Sequence, residues 1–209
     1  MALGSIVLPG GQRKPGTMLF RKVALAAIML LSLPIRSWAA VADLKDAAGH
    51  YAITPAGSSL AFAVDSVAGK GISGKFTQYS GSIVIDGDIG RSSVRITIVP
   101  ASVETGQDRV DAFLKSNAVF DVASEDAISF RSSSIRRTGE STAIIAGMLT
   151  ARGRSKPATF QAELEGMSKS AISFHVTGKV LRSPYDMDVG TPIYSNVVQF
   201  DMRLKAKRE

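Results

Sequence analysis

From Pro55 onward, apolar residues recur at every second position along most of the chain. That spacing fits a pleated strand with one face buried and the other wetted, and fits no long amphipathic helix. Leu60, Phe62 and Val64 open the pattern, followed by Val94, Ile96 and Ile98, and by Ile128 and Phe130. It returns at Ile144, Ala146 and Met148, at Phe160, Ala162 and Leu164, and at Ile172, Phe174, Val176 and Val180; Val198, Phe200, Met202 and Leu204 close it. Gly, Asp and Ser clusters punctuate the runs at 86–88 (DGD), 138–140 (TGE) and 165–170 (EGMSKS), as turns between antiparallel strands require. Roughly eight strands joined by hairpin-sized turns suit an antiparallel barrel, which abolishes exposed edges, or a two-sheet sandwich.

One segment departs from this period. In DRVDAFLKS, residues 108–116, Val110, Phe113 and Leu114 share one helical face behind Asp108. The spacing predicts a helix of two turns with Asp108 as N-cap. An eight-stranded barrel has an interior just large enough to be filled by side chains or to hold one small ligand. Phe62, Phe130, Phe160, Phe174, Phe200, Met148 and Met202 are the chief inward residues, as core or as ligand contacts. Gly147 and Gly178 either leave room in that interior or mark bends.

The first forty residues read as a secretory signal peptide: Arg21 and Lys22 precede the apolar run 23–33, followed by Pro34 and the small-residue pattern around Ala39. The run is shorter than the roughly 20 residues a membrane-crossing helix needs. Cleavage is expected after Ala39 or Ala42, with Met18 as an alternative start, dividing the chain into a leader at 1–42 and a domain at 43–209. The leader holds five basic residues and no acid, so the domain keeps 20 basic and 18 acidic side chains, a net charge of +2 rather than +7. That balance gives no basis for nucleic-acid binding. The absence of cysteine excludes disulfides, thiolate metal sites and a cysteine nucleophile.

Polar candidates are few. His50 and His175 lie 125 residues apart, and period two turns His175 outward, so a two-histidine metal site is not expected. Asp108, Arg109 and Asp111 cluster at the start of the helix, where carboxylates suit the helix N-terminus. Arg109 with Asp111 is the alternative pair for holding a ligand headgroup. Asp186 and Asp188 read as a solvated loop, and no G-x-S-x-G motif supports a hydrolase. No catalytic residue is assigned, and an enzyme is not expected.

Seven stretches in order resemble the YceI-like family of secreted bacterial proteins that bind polyisoprenoid lipids. They are YAITPAGSSLAFAV, GKFTQYSGSIVID, SSVRITIVPASVETG, DAFLKSNAVFDV, ISFRS, GMLTARGRSKPATF and LRSPYDM, and together they run from about His50 to Lys205. In GMLTARGRSKPATF, Gly153 permits an unusual backbone angle and Pro157 suits a strand start or an edge. Arg152, Arg154 and Lys156 then project at one end of the barrel, as solubilising charges or as contacts for an anionic headgroup. The resemblance implies an all-β, eight-stranded antiparallel lipocalin-like barrel closed by the short helix. It implies an isoprenoid tail in an apolar lumen lined by Phe62, Val64, Ile96, Phe113, Leu114, Phe130, Met148, Phe160, Phe174, Val176, Phe200 and Met202. It implies no cofactor beyond the lipid; the signal peptide places the domain in the periplasm, transient contact with a membrane surface and a homodimer are candidate associations, and the sequence does not fix the oligomeric state. A filled barrel acting through protein partners in envelope stress is the alternative. The chain departs from the family where many members carry a histidine after the first F-x-V strand and R-D-x-H-L in the helix. Ser66, Val110 and Phe113 occupy those positions, while Asp111 and Leu114 remain.

Overall fold

The computed structural model describes residues 47–209. The leader, its cleavage after Ala39 or Ala42 and the start at Met18 lie outside the described residues. The strands are β1 (Gly49–Ile53), β2 (Ser59–Ser66), β3 (Gly69–Phe76), β4 (Tyr79–Ile85), β5 (Ser93–Ile98), β6 (Val103–Glu104), β7 (Ile128–Arg137), β8 (Thr142–Ala151), β9 (Arg154–Met167), β10 (Ala171–Leu181) and β11 (Tyr194–Arg208). Helix α1 (Asp108–Lys115) separates β6 from β7.

These eleven segments make eight barrel strands. Ile53 of β1 pairs with Ala206 and Ser59 of β2 pairs with Arg203, so β1 and β2 lie end to end along β11. In the same way β3 pairs with β2 while β4 pairs with β1, and β6 pairs with β3 while β5 pairs with β4. Three long strands, each broken once, are followed by the unbroken β7 to β11, and pairing of β1 and β2 with β11 closes the ring. Every pairing is antiparallel, and closure of the ring removes the two outer edges of an open sheet, while Gly69–Gly74 of β3 and Arg154–Thr159 of β9 pair on one side only.

The three breaks lie side by side and their backbone groups are satisfied by serines. Ser58 Oγ accepts from Lys205 N at 2.9 Å across the first break. Buried Ser102 accepts from Gln78 N at 3.0 Å and donates to Val99 O at 2.7 Å, joining the second and third breaks. Pro100, which has no N–H for a ladder, starts the 3-10 turn that ends β5.

Four connections gather at one end, the helical end: the 67–68 turn, the 105–127 segment containing α1, the β8–β9 turn and the 182–193 loop. In the β8–β9 turn both central residues, Arg152 and Gly153, have positive φ, as a two-residue hairpin matching the strand twist needs. Arg152 Nη1 donates to Val119 O and Asp186 O, each at 3.1 Å, and Arg154 forms an ion pair with Asp186. The charges of this turn therefore tie three connections together. Pairing of β9 with β10 stops at Phe160 opposite Gly178, leaving Arg154–Thr159 bonded to β8 alone. Pro157 falls in that stretch. The gap is covered by the 3-10 turn Ser183–Tyr185, whose buried Tyr185 donates its hydroxyl to Leu149 O at 3.3 Å.

Two sequence expectations change. Alternation places Ile144, Ala146 and Met148 inside, whereas Ile145, Gly147, Leu149 and Ala151 face inward and Met148 is 41% exposed. Both faces of IIAGML are apolar, so period two alone does not choose between them. A bulge between Ser132 and Ser134 and the pairing of Phe130 with Leu149 set the register. Asp108 is the first helical residue rather than the cap; Gln107 occupies the N-cap position and makes no side-chain capping bond.

Candidate functional site

The inward faces do not fill the barrel. They enclose a cavity of about 250 Å³, near the lower end of small-molecule sites at roughly 300 Å³. Its lining runs from Phe113, Val189 and Tyr194 at the helical end to Ile89, Arg137 and Thr142 at the opposite end. Among the residues proposed from sequence, Phe62, Val64 and Ile96 border it on the broken-strand side. Phe130, Phe160, Phe174, Val176, Phe200 and Met202 border it on the long-strand side, and Phe113 and Leu114 border it from α1. Met148 belongs to the outer face and does not.

Rings organise one wall. Phe130 and Phe160 meet edge to face with centroids 5.1 Å apart, and Phe160 meets Phe200 at 6.1 Å. The two interior glycines admit these rings. A Cβ on Gly178 would fall on the Phe160 ring, and one on Gly147 would lie 2.7 Å from Phe130 Cζ. Their missing side chains therefore make room for phenyl groups rather than opening the lumen.

Neither Arg109 nor Asp111 borders the cavity. Arg109 is exposed, and Asp111 Oδ1 accepts from Thr105 Oγ1 at 2.6 Å and from Thr105 N at 2.7 Å. The Thr105 hydroxyl foremost, helped by its amide, holds the Asp111 carboxyl below the usual aspartate value. Asp111 anchors the entry to α1. His175 faces outward and its Nε2 lies 3.0 Å from Asp201 Oδ1. Among the described residues no group of three or more His, Asp or Glu side chains is placed to hold a metal ion.

The principal polar group of the helical end is Arg182, which is 8% exposed. Its Nε donates to Ser195 O, Nη1 to Met187 O and Val189 O, and Nη2 to Thr191 Oγ1 and Tyr194 O. Burial pushes its guanidinium below the ordinary arginine value, partly offset by Asp188. These bonds fold the 182–193 loop over the barrel end, bringing Tyr185, Met187, Val189 and Tyr194 to the cavity. This group was missed in the sequence reading although period two points to it: Arg182 follows Val176, Gly178 and Val180 on the inward face. At the other end Arg137 donates through Nε to Gly139 O at 2.8 Å and through Nη2 to Glu140 O at 2.6 Å.

A closed antiparallel barrel around an apolar cavity agrees with a family model, the YceI-like domain, that matches residues 51–207. The chain belongs to the YceI-like family. A relative, a UPF0312 protein of Ectopseudomonas mendocina (strain ymp), is 32% identical over 150 residues, covering 71% of this chain and 75% of that one. Among solved structures, Burkholderia cenocepacia BcnA superposes with a TM-score of 0.68 at 21% identity, over 73% of this chain and 98% of its own. A polyisoprenoid binding domain from Saccharophagus degradans, implicated in plant cell wall breakdown, gives 0.62 at 16% identity over 78% and 99% of the two chains. At these identities the solved structures share the fold.

Proposed function

We propose that this YceI-like barrel binds a long-chain isoprenoid lipid noncovalently, a polyprenyl phosphate or an isoprenoid quinone, and carries or buffers it in the periplasm. The observation that carries the reading is the apolar cavity running between the two barrel ends, lined by phenyl rings and aliphatic side chains. The solved polyisoprenoid binding domain of the same fold supports the choice of lipid. Each buried methylene contributes about 0.8 kcal/mol, so ten give about 8 kcal/mol before ordering costs are subtracted. Affinity then comes from tail burial, without catalysis and without a metal or redox cofactor. The signal-peptide pattern in the sequence of residues 1–42 supports export, and transfer of such a ligand brings the barrel into transient contact with a membrane surface.

Organic extraction of the protein purified from its own host, followed by mass spectrometry, tests the reading. An isoprenoid recovered at near one per barrel from native protein, and lost from a folded Phe174→Asp variant, is the expected outcome. Protein that emerges without lipid and takes none up from prenyl-lipid vesicles would overturn it and favour a barrel acting through protein partners.

A further inference from the structure

We propose that the outer wall of the barrel at β5, β7 and β8 docks on an anionic phospholipid surface, with Arg95, Arg131 and Arg136 on headgroup phosphates and an apolar stripe of β8 at the acyl boundary. This rests on the lipid-carrying reading and names the face that meets the membrane. Five neighbouring strands, β1, β4, β5, β7 and β8, contain no Asp or Glu. Arg95 and Arg131 stand directly opposite each other on the outside of β5 and β7, and Arg136 follows on the same face of β7. Like charges so placed are destabilising when nothing neutralises them. Among the described residues, none of the three has an ion-pair or hydrogen-bond partner. Most other arginines do: Arg91, Arg154 and Arg203 pair with carboxylates, and Arg137, Arg152, Arg182 and Arg208 donate to carbonyls. Only Arg109, exposed on α1, shares their unpaired state among the described residues.

Beside these cations β8 turns a second apolar face outward, made of Ile144, Ala146 and Met148. Met148 lies across from Arg131 and Ile144 across from Arg136. Core packing does not call for this stripe, because Ile145, Gly147 and Leu149 of the same strand serve the interior. Apolar side chains flanked by unpaired cations fit a bilayer interface, where arginines meet phosphates and apolar groups enter the acyl boundary. A convex wall meets a plane along a line, and the stripe supplies that line. A second copy of this chain fits worse, since a twofold contact of this face with itself brings free arginines together without an acid. The acids of β9 stay at its margin: Glu163 lies across from Thr142, and Glu165 pairs with Arg203.

The test is flotation of the purified protein with vesicles of phosphatidylcholine alone or mixed with phosphatidylglycerol, with isoprenoid retention measured in parallel by mass spectrometry. Native protein should float with the mixed vesicles, release as salt rises, and not float with phosphatidylcholine alone. Arg131→Gln should weaken binding about fivefold and the Arg95→Gln/Arg131→Gln pair about twentyfold, with isoprenoid retention unchanged. Arg109→Gln, an equal change of charge at the helical end, should stay within about twofold of native. Inorganic polyphosphate at the same phosphate concentration should bind about tenfold more weakly than the mixed vesicles, because it offers the stripe no acyl boundary. Native protein that ignores the mixed vesicles, or floats equally with phosphatidylcholine, overturns the docking face. Equal losses in Arg109→Gln and Arg131→Gln do the same, since net charge alone is then read. Polyphosphate bound as tightly as the vesicles overturns the bilayer as occupant and assigns the face to a soluble polyanion. Protein that floats but neither holds nor takes up an isoprenoid contradicts the lipid-binding reading and leaves the docking face standing. If the outer-face variants do not fold, the two vesicle compositions compared on native protein still decide.

Discussion

Gly147 and Met148 are adjacent in β8 and test the register of the barrel most sharply. A Cβ at Gly147 would meet the Arg131 carbonyl and the Phe130 ring, neither of which moves without disturbing the wall. Gly147→Ala should therefore cost about 2 kcal/mol in urea unfolding, as overpacking does, whereas Met148→Ala on the outer face should change stability by less than about 0.5 kcal/mol and leave lipid retention intact. The reverse ranking would restore the face that simple alternation favours. Alternation located most of the cavity wall because large apolar residues alternate with polar or small ones in β2, β5, β7, β9 and β11. It misassigned β8 because IIAGML offers two apolar faces and the deciding bulge lies in the partner strand. Asp111 supplies a residue-level pH test. Its folded carboxyl titrates below the unfolded value of about 3.9, so its contribution is complete above that value and lost as the pH falls through the lower folded one. Asp111→Asn should lower stability at neutral pH and reduce the further loss as the pH falls below about 4, measured as urea midpoints. An unchanged acid limb would remove Asp111 from the account.

The connections at the helical end act as one element joined by cations. Arg152 bonds carbonyls of both the segment after α1 and the 182–193 loop, and Arg154 pairs with Asp186 in that loop. Arg152→Ala should accordingly loosen all three connections, seen as faster amide exchange in residues 116–122 and 183–188. Arg154→Ala removes an exposed pair and should cost no more than about 1 kcal/mol. If exchange rises only within the β8–β9 turn, the connections are independent. Tyr185→Phe deletes the bond to Leu149 O and should cost about 1 kcal/mol, with the loss concentrated where β9 and β10 separate. Sequence reading found the hairpin, its Gly153 and its basic tip. It did not reveal what the tip holds, because Val119 and Asp186 are 33 and 34 residues away along the chain and accept through backbone atoms that carry no residue signature.

At the scale of the whole molecule, closure and hollowness follow from different causes. Closure follows from eight strand-length runs whose final partner, β11, is long enough to pair with both halves of the first broken strand. Eight strands were legible because breaks at 54–58, 77–78 and 99–102 divide strands without changing their number. Hollowness depends on which rings point where, and composition left a filled core and a lumen equally open. The phenyl groups fit against interior glycines on one wall, leaving a cavity of about 250 Å³ between the ends. The most direct measurement of that claim is an electron-density map of the protein crystallised as purified from its own host. The account predicts continuous tubular density inside the barrel, passing the Phe130–Phe160–Phe200 wall. Side chains collapsed into that space, with no density between them in a map of comparable quality, would contradict it.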